Sequence, residues 1–214
     1  MDIADALIQY LMLVSLLTFH EFAHAWTALK CGDDTARLQG RVSLNPVVHI
    51  DPIGTVLLPL MMIFLPGASR YLIGWAKPVP FNYYNLGNPP RDEVLIAMAG
   101  PGMNLLLAIA LVGFARVAQG FQSFQLMDVL LQASTLSLIL CFFNLIPVPP
   151  LDGSHVLKVL TNMSQETYAN FGRFGFIIVI VLLQIPIVRQ TLFSVTIGTS
   201  VVLMRLFGVS LGDM

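Results

Sequence analysis

The chain has 214 residues, 56% of them hydrophobic and 11% charged, and its mean hydropathy is +0.78. Charged residues make up about a quarter of a typical soluble domain, so this composition excludes a water-soluble globule and leaves room for one compact helical bundle without a separate soluble domain. A net charge of −1 gives no electrostatic case for a nucleic-acid partner, and Cys31 and Cys141 make neither a disulfide framework nor a zinc ribbon.

The first apolar segment, 3–29, is about 40 Å long as a helix, enough to span a bilayer. The start, MDIAD, is acidic and no Ala-x-Ala site follows the apolar run, so a cleaved signal peptide is not expected. Residues 6–19 carry no charge, and then comes His20-Glu21-Phe22-Ala23-His24, an H-E-x-x-H sequence. Residues four apart share a helix face. Both imidazoles can therefore reach one metal ion, with Glu21 beside the open coordination position as a base for water. A charge in a membrane helix costs roughly 2.5 to 3.5 kcal/mol on insertion scales and by default marks a functional site. The bland alternative is a chance match on an ordinary helix.

Residues 31–92 differ, with six glycines and several prolines that are unwelcome in a long helix. Non-helical backbone at membrane depth survives where protein buries it or where it lines a wet cavity. This stretch is predicted as loop, a short re-entrant hairpin near 53–66 and one or two short strands. The segment Gly74-Trp75-Ala76-Lys77-Pro78-Val79-Pro80-Phe81-Asn82 suits an edge strand. Through Trp75, Ala76, Lys77, Val79 and Phe81 it is the candidate binding edge for an unwound substrate, by strand addition. The competing reading is a plain interfacial loop anchored by Trp75 and Lys77. His49 and Asp51, two residues apart, share no helix face and suit a loop-ordering hydrogen bond better than a metal. Trp26 and Trp75 are read as interfacial aromatics.

A third apolar segment, 93–117, contains AGPGMN, and a fourth covers 126–146. Asn104 is expected to pack helix to helix with Gly100 and Gly102, which permit close approach, or to support the site from behind its ligands. Cys141 is a small core residue. Pro147, Pro149 and Pro150 then break the chain before Asp152-Gly153. A catalytic zinc usually has three protein ligands and a water, and Asp152 is the best third candidate. The alternative is a turn or helix N-cap ahead of SHVLKVL. Asn144 is either a donor to a tetrahedral oxyanion or a cap on the broken helix, and His155 is read as an interfacial histidine. The last apolar stretch, 171–207, reads as two passes broken near Pro186, or as one pass and a helix lying against the bundle.

Basic residues follow the first segment at Lys30, Arg37 and Arg41 and precede the third at Arg70, Lys77 and Arg91. The positive-inside rule then puts the N-terminus outside and residues 30–92 in the cytosol. On this reading the turn carrying Asp152 emerges on the same side as His24. The fold class is an all-α polytopic membrane protein, a transmembrane bundle with a short re-entrant/β segment between the first and second core helices. The whole chain is one integral-membrane domain, with a catalytic core at about 3–160 and accessory helices at about 165–208.

HEFAH near the end of an apolar helix, AGPGMN at 99–104 and NLIPVPPLDG at 144–153 together resemble the site-2 protease family of intramembrane zinc metalloproteases, peptidase family M50. The three motifs occur in that family's order and span about residues 10–160. The resemblance implies that His20, His24 and Asp152 are ligands to one Zn²⁺ per chain, that Glu21 is the general acid/base, and that Asn144 stabilises the transition state. It implies a compact form without a PDZ or CBS domain, in a prokaryotic plasma membrane, acting on a transmembrane protein substrate within the lipid bilayer. The competing function is a metal-ion transporter or channel built on the same His/Asp cluster. A transport site has no need of a non-ligand carboxylate between two histidines.

Overall fold

A computed structural model describes residues 3–64, 72 and 74–210; these are mostly helical, with no strand among them. The chain packs as two units, Met1–Gly100 and Pro101–Met214.

The first unit is built on α1 (Ile3–Lys30), with Asp5 in its first turn and Lys30 in its last, each charge matched to the helix dipole. Leu13, Leu16, Leu17, Ala23, Ala25 and Ala28 are buried, while Ile3, Leu7, Ile8 and Leu11 stay exposed. A helix with apolar residues on its outer face suits a lipid surround. The short α2 (Thr35–Leu38) and a 3-10 turn, Pro46–His49, follow. A π-helical turn, Pro52–Leu57, runs into α3 (Leu58–Phe64). Asp51 starts that turn by accepting the N–H groups of Ile53 and Gly54 at 3.0 and 2.7 Å. Asp33 ties the end of α1 to the distant 82–85 loop. Its carboxylate accepts from Thr35 (N and Oγ1), the Asn82 N–H and the Asn85 Nδ2. Burial raises its pKa, but these donors outweigh burial and hold the carboxyl below its ordinary value.

The helix α4 (Pro89–Gly120) begins with proline at its first position, and Asp92 accepts the N–H of Asn88 at 2.7 Å, a satisfied start. It continues into the second unit through Pro101. There α5 (Phe124–Asn144) and α9 (Pro186–Phe207) complete the core. Ala108, Val112, Ala115 and Ala118 of α4 cluster with Met127, Leu138 and Leu203. Two α5 hydroxyls tie it to α4, Ser134 to Ala108 O at 3.0 Å and Ser137 to Asn104 O at 2.7 Å. Small residues and hydroxyls are the means by which helices associate where water gives no hydrophobic drive. Between α5 and α9 lie α6 (Gly153–Leu160), α7 (Gln165–Gly172) and α8 (Gly175–Gln184).

Three expectations change. Residues 53–64 are helical, not hairpin, and the remainder of the predicted 53–66 segment lies outside the described residues. Segment 74–82 is extended without becoming a strand, because its backbone groups bond to side chains and helix ends. In 171–207, α9 has 22 residues and α8 has 10. At 1.5 Å per residue only α9 is long enough to cross alone, and α8 meets α7 at a 59° bend. With α1, α4 and α5, four helices among the described residues are long and apolar enough to cross a membrane.

Candidate functional site

In the first unit the H-E-x-x-H residues lie on one buried face of α1, with His20 4%, Glu21 8% and His24 8% exposed. His24 Nδ1 is 2.7 Å from the carbonyl oxygen of Ile96 on α4. A carbonyl only accepts, so Nδ1 carries the proton and the lone pair sits on Nε2. That Nε2 is 3.0 Å from the Nε2 of His20. Two nitrogens bound to one tetrahedral zinc at about 2.0–2.1 Å stand roughly 3.3 Å apart, so the pair fits the metal that the motif implies.

A second observation supports the fit. A Cβ placed on Gly100 would lie 2.3 Å from His24 Nε2 and 2.6 Å from His20 Nε2. The glycine thus leaves a recess beside the two nitrogens. The close helix-to-helix approach expected at Gly100 is therefore made to the imidazoles of α1. A Cβ on Gly102 would meet nothing within 4 Å among the described residues, so no such recess lies beside it. Nothing in a lone Gly-Pro-Gly shows which way each glycine points.

Glu21 accepts the backbone N–H of Val79 at 3.0 Å. This brings the extended segment to the motif, and its bonded groups alternate. Trp75 N–H donates to Gly54 O at 3.2 Å and Lys77 N–H to His49 O at 2.9 Å, while Thr55 Oγ1 donates to Trp75 O at 2.7 Å. Arg41 donates to Lys77 O. Residues 75, 77 and 79 thus present one edge inward, as alternate residues of extended chain must. Trp75 packs on Gly54, where a Cβ would lie 2.4 Å from its ring. It is thus a packed residue and not only an interfacial anchor. Ala76 is buried, Val79 and Phe81 are half-buried and Lys77 is exposed. His49 orders the loop as expected, its Nε2 donating to Ser43 O at 2.8 Å. Burial first, with help from the Arg41 charge, pushes its pKa down against the Ser43 bond, which favours a neutral ring. Trp26 is exposed with Lys30 Nζ 5.5 Å above its ring, the amphipathic pairing of a membrane interface.

In the second unit, Asp152 stands at the N-cap of α6, half-buried, and its side chain makes no capping hydrogen bond. The N-cap position anticipated for it is real, while the capping role is not taken. A Cβ on Gly153 would lie 2.2 Å from Leu145 O, so the proline-broken turn closes back on the end of α5 only because residue 153 is glycine. Asn144 ends α5 and donates from Nδ2 to Leu140 O at 2.9 Å, which engages one of its two amide hydrogens. Below the turn, Ser154 Oγ donates to Leu151 O at 2.6 Å, so in its 2.7 Å contact with Tyr168 the tyrosine hydroxyl donates. The ring of His155 lies tilted at 45° to that of Tyr168, centroids 5.0 Å apart, and Lys158 Nζ lies 5.3 Å from the Tyr168 ring. Tyr168 carried no signal in the sequence.

The family model of "Peptidase family M50" matches residues 8–132 and 116–185. The chain is 36% identical over 197 residues to "Putative zinc metalloprotease YwhC" of Bacillus subtilis, covering 85% of this chain and 83% of that one. It is 30% identical over 185 residues to "Putative zinc metalloprotease Rip2" of Mycolicibacterium smegmatis, covering 83% and 67%. The Mycobacterium tuberculosis (H37Rv) protein of the same name is 30% identical over 190 residues, covering 84% and 67%. No solved structure matches. With an H-E-x-x-H helix, a proline-broken Asp-Gly turn and a family match across most of its length, the chain belongs to peptidase family M50 and is a metalloprotease.

Proposed function

We propose that this protein is a multi-pass intramembrane endopeptidase that uses one zinc ion, held by His20, His24 and Asp152, to cut peptide bonds in or near the transmembrane segments of other proteins. The observation that carries the reading is the imidazole pair, with Nε2 atoms 3.0 Å apart and the His24 lone pair directed by Ile96, inside a helix apolar enough to cross a membrane. The place of Asp152 in the proline-broken Asp-Gly turn of NLIPVPPLDG supports its assignment as the third ligand. Bound zinc supplies a Lewis acid for the scissile carbonyl and lowers the pKa of water towards about 7. Glu21 takes the proton of the attacking water and returns it to the leaving amine, a role worth roughly 10² to 10⁴ in rate. The second amide hydrogen of Asn144 serves the oxyanion.

The substrate segment must arrive partly unwound, and its backbone needs partners in a medium without water. The edge of 74–82 opposite residues 75, 77 and 79 supplies them, through the N–H groups of Gly74 and Ala76 and the carbonyls of 74, 76 and 80. The N-terminus faces outward and the site lies toward the cytosol of a prokaryotic plasma membrane. A transporter using the same residues is disfavoured by Glu21, whose carboxylate is engaged by a backbone amide. The test is metal analysis with cleavage of a model transmembrane substrate, wild type against Glu21→Gln. Zinc at about one per chain is expected in both, with cleavage at least ~100-fold slower in the variant. Wild-type cleavage in Glu21→Gln overturns the reading.

A further inference from the structure

Arg41 is 4% exposed, although arginine is seldom so buried without a task. Local sequence aims it. The turn after α2 closes with Gly40 at φ +68, Gly40 N–H to Arg37 O at 2.9 Å and Arg41 N–H to Ala36 O at 2.8 Å. This pattern of two crossed bonds around a left-handed glycine is a Schellman closure, and it sets the backbone from which Arg41 projects. Its Nη2 donates to Lys77 O and lies 3.4 Å from Pro78 O. Those carbonyls immediately precede the Val79 N–H that binds Glu21. Pro78 and Pro80 flank Val79 and have no N–H, so Val79 is the sole amide donor of residues 78–80.

We propose that Arg41 is a positioning residue for the catalytic base: by clamping the carbonyls of residues 77 and 78 it sets the Val79 N–H that orients the Glu21 carboxylate. The inference rests on the assignment of Glu21 as base. A buried guanidinium suits the task because one nitrogen of its planar group, Nη2, carries two hydrogens in a fixed geometry for the two carbonyls, whereas an ammonium is a point charge on a flexible stem. Burial lowers the Arg41 pKa and Glu21 raises it, so the carboxylate also favours the cation that holds its partner in place.

The experiment compares the full-length protein in detergent with Arg41→Met and Arg41→Lys, reading zinc content, thermal midpoint, hydrogen exchange in a 74–82 peptide, and cleavage. Arg41→Met is expected to keep about one zinc per chain and the wild-type midpoint. Exchange in 74–82 should accelerate at least ~10-fold and kcat should fall roughly 10- to 100-fold, the scale of lost support behind a site. Arg41→Lys should recover part of both. Unchanged exchange and kcat in Arg41→Met overturn the proposal. So does joint loss of zinc, midpoint and protection throughout 31–64 in both variants, which would mark a general structural role. If Glu21→Gln retains cleavage, the assignment of the base fails, whereas the exchange result still reports on the clamp itself.

Discussion

At the scale of single residues the site depends as much on what is missing as on what is present. Gly100 leaves the space in which two imidazoles meet, and one methyl group there would fall 2.3 Å from His24 Nε2. In most helix interiors Gly→Ala stabilises by roughly 0.5–1 kcal/mol. Here Gly100→Ala is expected to weaken zinc binding by roughly tenfold or more, on the scale of damage to residues supporting a metal. Zinc titration and the thermal midpoint of the metal-stripped protein check this together. Wild-type affinity in the variant would show that the recess does not matter. His20, Glu21, His24 and Asp152 stand out in the sequence as candidates because their side-chain chemistry is unusual in an apolar chain. Nothing there shows that Gly100 faces the imidazoles, because a glycine has no side chain whose character could reveal what it faces.

At the scale of elements, legibility followed length. Helices α1, α4 and α5 were plain in the apolar runs, since long segments satisfy their own backbone groups and need no partner to be recognised. The extended 74–82 segment was found by its prolines, yet its lack of a strand partner was not. Its hydrogen bonds go to Gly54, His49, Arg41, Thr55, Glu21 and Asp33, and no local pattern in the sequence links those positions. The clamp of Tyr168 on Ser154 was equally hidden, being a contact between separate helices. Tyr168→Phe removes the donor while keeping the ring over Lys158 and His155. The expected cost is about 1 kcal/mol of unfolding free energy, read from reversible denaturation in mixed micelles. A cost below about 0.3 kcal/mol would show that ring packing alone holds α7 to α6.

At the scale of the whole molecule, the topology proposed from the placement of basic residues can be tested, given four helices among the described residues that are long and apolar enough to cross. Leu38, at the end of the short α2 that follows α1, is 75% exposed. A cysteine at that position, in a background with Cys31 and Cys141 replaced by serine, is expected to label with an impermeant maleimide only after the cytosolic face is opened. A reporter fused at residue 1 should be accessible without opening. The reverse pattern would turn the assignment over. Replacing Cys31 costs little signal, because burial, then the neighbouring Asp92 charge, raise its thiol pKa and leave little reactive thiolate.

The contact between Glu21 and residue 79 is made by a main-chain amide, and every amino acid but proline carries one. Drift among valine, isoleucine or threonine at this position would therefore leave the contact intact. An alanine scan across 74–82 would pass over it, since the scan alters what hangs from the backbone and leaves the amide in place. Exchanging the amide of residue 79 for an ester, by semisynthesis, deletes the single hydrogen concerned. The base proposed for this protein is thus held by a component that neither side-chain mutagenesis nor comparison of residue identities is suited to detect.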